Sequence, residues 1–95
     1  MFDAVQISGE TVRTLSVSTS AANTGQLKPG VYRVWSTVAV SVRIERDTPA
    51  PAISTANGYP VGTSEKVDFL VGDEQTIFAI AGGSGTMSYI RIGDL

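Results

Sequence analysis

The sequence predicts an all-β fold, a single small antiparallel β-sandwich or barrel of about seven short strands. Three observations carry that reading. Apolar and polar residues alternate with period two in almost every segment, and helical periodicity appears in none. Gly, Pro, Asn and Asp cluster between the alternating runs, as turn chemistry requires. The chain has 95 residues, enough for one core and too few for two, so residues 1–95 form one domain.

Taken in order, the chain opens with an apolar, alternating segment, Phe2, Val5 and Ile7. Residues 1–10 can act as an edge strand of the domain or as an arm that adds to a neighbour's sheet. Ser8-Gly9-Glu10 reads as a tight connection into a strand over 11–17. Residues 18–26 (Ser-Thr-Ser-Ala-Ala-Asn-Thr-Gly-Gln) are small, polar and aperiodic, and read as a loop. Leu27-Lys28-Pro29-Gly30 suits a type II turn, with Pro29 setting φ and Gly30 supplying positive φ.

The next two strands are the strongest. Over 31–36, Tyr32 and Val34 share one face and Val31, Arg33 and Trp35 the other. Over 38–45, Val38, Val40, Val42 and Ile44 form an all β-branched face, and Ala39, Ser41, Arg43 and Glu45 a small or charged one. That is a strand with one side on a core. Residues 47–63 hold Pro49, Pro51, Gly58, Tyr59 and Pro60, which disfavour a central strand and predict a long loop. Strands follow over 66–71, 76–81 and 86–92. Val71-Gly72-Asp73-Glu74 reads as a tight connection, and Gly82-Gly83-Ser84-Gly85 as the loop of a final hairpin.

Composition narrows the chemistry. Apolar residues make up 42% and charged residues 17%, well outside the disordered regime. A chain this short buries about two-thirds of its unfolded surface, so modest stability is expected, to be raised by assembly. Seven Lys and Arg are scattered in a chain of net charge −2, which speaks against a nucleic-acid partner. No apolar run approaches the roughly 20 residues of a membrane span. The first residues lack the basic and long apolar regions of a signal peptide, so synthesis in the cytoplasm is expected. Cys and His are both absent. Disulfides, zinc or copper sites of the usual kind, and Ser-His-Asp or Cys-His catalysis are thereby excluded. No enzyme activity, metal or cofactor is expected.

The remaining candidates have bland readings. Asp73 and Glu74 are adjacent carboxylates, but they fall in a turn. Asp68 alternates with Val67 and Phe69 and so faces solvent. Ser84 lacks both the nucleophile-elbow spacing and a histidine, and its glycines lack the Lys-Ser/Thr of a phosphate loop. Trp35 is expected to fill the core from a central strand. For Tyr59 two roles stay open, stapling its own loop to the domain or anchoring a partner. The residues named as a partner interface are therefore Phe2, Val5, Ile7, Pro49, Pro51, Tyr59 and Pro60.

From Leu27 onward the chain resembles the small structural proteins of tailed bacteriophages. The residues that carry the resemblance are Pro29-Gly30, the strands 31–36 and 38–44, the long loop, 67–71 with Gly72-Asp73, 76–81, and Gly83-Ser84-Gly85-Thr86. The resemblance implies a β-fold virion protein, most often a head decoration or cement protein. Such a protein binds the capsid exterior at capsomer joints, with the major capsid protein and its own copies as partners, and has no cofactor or active site. The alternative is a carbohydrate-binding β-sandwich for host attachment, reading a glycan with Trp35, Tyr59 or Tyr89.

Overall fold

In the computed structural model, which describes residues 11–46 and 52–94, alternation decides which side of each strand is buried. Eight strands form: β1 (Arg13–Val17), β2 (Ala22–Gln26), β3 (Gly30–Ser36), β4 (Val40–Glu45), β5 (Tyr59–Val61), β6 (Val67–Val71), β7 (Thr76–Ala81) and β8 (Gly85–Gly93). They make two antiparallel sheets, ordered β1-β8-β3-β6 and β2-β7-β4-β5. The core lies between the sheets. It is filled by Val17, Tyr32, Val34, Val40, Val42, Val61, Val71, Ile77, Met87 and Tyr89, with Ala79 and Ala81 as thin fillers. Each fully buried Val, Ile or Met contributes about 1.5–3 kcal/mol relative to exposure.

The order of pairing has a simple rule. β1 pairs with β8, β2 with β7, β3 with β6 and β4 with β5. Those are the rungs of one long hairpin, rolled so that β3 also meets β8 and β4 also meets β7. Consecutive strands therefore fall in opposite sheets everywhere except β4 and β5. Two four-stranded sheets connected in this way are a jelly roll, an architecture found in viral capsid and lectin domains.

Several expectations change. Residues 82–85 do not close a hairpin, because β7 and β8 belong to different sheets; the loop crosses between them. Gly85 is needed for close packing, since a Cβ there would stand 2.5 Å from Val38 Cγ2. Gly30 likewise has no positive φ. It opens β3, and its missing side chain leaves room for Arg91 Nε and the Gly93 carbonyl, each 2.5 Å from where a Cβ would sit. Residues 22–26 are a strand rather than loop. Gly25 (φ 79°) and a register shift between Asn23 and Gln26 break the period-two pattern. Pairing with β7 holds the strand, helped by the Ile77 N–H donating to Thr24 Oγ1 at 3.3 Å.

The expected loop over 47–63 also contains a strand, β5. Proline is tolerated there because β5 is an edge. Before it, residues 52–58 fold over the outer side of β4. Ser41 Oγ donates to the Thr55 carbonyl at 3.0 Å, and a Cβ on Gly58 would lie 2.9 Å from the Val42 nitrogen. Trp35 is not in the core. Tyr32, Val34 and Ser36 take the inward positions of β3, so Trp35 is half-buried on the outer face beside Arg33.

Candidate interaction edge

Sheet order brings two edge strands together on one side of the sandwich, β5 from one sheet and β6 from the other. Tyr59 occupies a core-facing position on β5, opposite Val42. At the edge of the sheet its ring reaches across the gap and meets Phe69 of β6 edge to face, with centroids 5.7 Å apart and planes at 89°. Such a pair contributes about 0.5–1.5 kcal/mol beyond burial, so Tyr59 does close the sandwich. Yet it remains 57% exposed. Both roles open from the sequence are compatible with that position.

On the outer side of β6, Leu70 stands opposite Val31 and is 66% exposed. Next along, Asp68 stands opposite Arg33 and accepts two bonds from its guanidinium, at 2.9 and 3.1 Å. Both side chains are largely in solvent, so the pair contributes about 0–1 kcal/mol. Arg33 shares that outer face with Val31 and Trp35. Leu70, Arg33 and Trp35 thus lie on the outer face of the β3–β6 pair, and Tyr59 fills the gap between the sheets at the same edge. Trp, Tyr and Arg are the residue types that dominate binding energy at protein interfaces.

The strand itself adds to this. Of the four edges that the described residues form, β6 (Val-Asp-Phe-Leu-Val) has the most apolar sequence. β2 is polar and bulged, β5 has three residues and a proline, and β1 carries Arg13, Thr14 and Ser16. An edge presents main-chain N–H and C=O groups with no neighbour to pair them, and apolar edges are where another chain adds.

Of the residues named from the sequence, Tyr59 and Pro60 lie on this edge. Phe2, Val5, Ile7, Pro49 and Pro51 lie outside the described residues. Leu70 was missed, although the signal was present: it shares the parity of Asp68, which was read as outward. An edge strand apolar on both faces is the pattern that should have marked it. Asp73, Glu74 and Ser84 are exposed, the first two in a turn where Glu74 adopts φ 61°. Among the described residues no three acidic groups gather as metal ligands would. No family model, curated protein or solved structure matches the chain.

Proposed function

We propose that this chain is a virion structural protein, of the head-decoration type, that works by binding rather than by turnover. In this reading it sits on the capsid exterior and contacts the major capsid protein and copies of itself through the β5–β6 edge. The observation that carries the reading is the exposure of Leu70 and Tyr59 together on that edge. Support also comes from the jelly-roll order, by analogy of architecture alone, and from the sequence resemblance described above. A shallow contact repeated over a symmetric shell gains avidity, so no single interface needs to be large.

The test is co-sedimentation of the purified chain with tailed-phage heads that lack it. Wild type should pellet with the heads and raise their resistance to heat. Leu70→Glu should lose binding by tenfold or more, on the order of a hot-spot residue. Its own melting temperature should stay unchanged, because Leu70 contributes little to the core. Equal binding by the variant would remove the edge from the reading, and no binding by wild type would remove the virion assignment.

A further inference from the structure

The end of the sandwich where β1 begins and β8 finishes has a different character. There Arg13, Lys28 and Arg91 surround a cleft of about 290 Å³, lined also by the buried rings of Tyr32 and Tyr89. The chain has seven Lys and Arg in all, and three of them meet here. Two occupy positions that the strand pattern reserves for apolar residues. Arg13 stands opposite Tyr89, and Arg91 opposite Tyr32, on the core-facing sides of their strands. Departures of this kind from the pattern tend to fall at functional sites.

The three cations differ in what occupies them. Arg91 is largely buried; its Nε donates to the Pro29 carbonyl at 3.0 Å and its Nη2 to the Asp94 carboxylate. Tyr32 donates its hydroxyl to the Lys28 carbonyl at 2.6 Å, which places the Lys28 backbone at the rim. The side chains of Arg13 and Lys28 make no hydrogen bond or ion pair with any described residue. Asp94 stays ionised in the neutral range, since its bond to Arg91 lowers its pKa. Its charge acts first on Arg91 and more weakly on Lys28. No described residue that lines the cleft is acidic.

We propose that this cleft binds a small anionic group, a phosphate or a carboxylate, between Arg13 and Lys28 with Arg91 behind it. The guanidinium fork matches either anion with two parallel hydrogen bonds, and lysine adds a mobile point charge. The volume lies at the lower limit of small-molecule pockets. It suits a single acidic or phosphorylated sugar-sized unit rather than a polymer segment. An occupant would tie the start of β1 to the turn before β3, and so raise the stability of the folded state in proportion to its saturation.

Amide chemical shifts of the full chain are followed while inorganic phosphate, glucuronate and, as the neutral control, glucose are added separately. Saturable shifts at Thr11, Arg13, Lys28 and Arg91 are expected with at least one anion and not with glucose. Phosphate alone would identify a tetrahedral ligand, and glucuronate alone a carboxylate. Arg13→Gln combined with Lys28→Gln should weaken binding about tenfold or more, with the melting temperature of the unliganded protein unchanged. Absence of saturation with both anions, equal shifts with glucose, or unaltered affinity in the double variant would overturn the proposal.

Discussion

Ile77→Ala is expected to lower folding stability by about 2–5 kcal/mol. Ile77 is fully buried on β7, between β2 and β4, and is among the largest side chains with no exposure at all. Its neighbours on the inward face of the same strand are Ala79 and Ala81, too small to move into the space left behind. The cavity would therefore persist, which is the condition for a cost near the upper end of the range. A domain of this size has about 5–15 kcal/mol in total, so one truncation removes a large share. Urea denaturation followed by tryptophan fluorescence measures it. The midpoint should fall with the slope unchanged, and a loss under about 1 kcal/mol would contradict the assigned core.

Gly30→Val is the second large effect, and its origin is steric rather than apolar. Even the first added carbon would meet the Gly93 carbonyl oxygen and Arg91 Nε at 2.5 Å. The oxygen belongs to the β3–β8 ladder, where Val31 pairs with Gly93, and cannot withdraw without breaking strand pairing. Arg91 would have to surrender its bond to Pro29. A cost of about 1–3 kcal/mol or more follows from such overpacking. Gly82→Ala is the control, for a Cβ there meets nothing within 4 Å and should shift stability by about 1 kcal/mol or less. Equal melting temperatures for the two variants would show that Gly30 is chosen for something other than room.

Strand identity was readable wherever alternation was clean. β3 alternates Tyr32 and Val34 with Val31, Arg33 and Trp35, and β4 places Val40, Val42 and Ile44 on one face; local pattern suffices for that. It fails where the period breaks. β2 carries a bulge at Gly25, so its inward and outward residues do not alternate in sequence, and β5 is too short to display a period at all. Sheet membership was not readable, because the ladder joining Arg13 to Tyr89 leaves no mark on the residues between them. A glycine-rich stretch such as 82–85 looks the same whether it turns within a sheet or crosses to another. Trp35 shows two rules in conflict. Its size argued for the core, its parity with Arg33 argued against, and parity prevailed because Tyr32 and Val34 already fill the inside of β3.

The interaction edge was legible in part for the same reasons. Tyr59 and Pro60 stood out as an aromatic and a proline in an expected loop, which is a local signal. Leu70 did not, since an apolar residue in a strand suggests core, although its parity with Asp68 sets it on the outer face. Strand order adds what parity does not show, that β6 is an edge of its sheet among the described residues.

The central claim, that the molecule acts through the β5–β6 edge, is tested most directly by hydrogen exchange on the free chain and on the chain bound to phage heads. Binding should slow exchange at residues 59–61 and 67–71, where main-chain groups of the two edge strands become covered, while β1 and β2 exchange as before. Unchanged rates at β6, with new protection confined to β1 or β2, would contradict the claim.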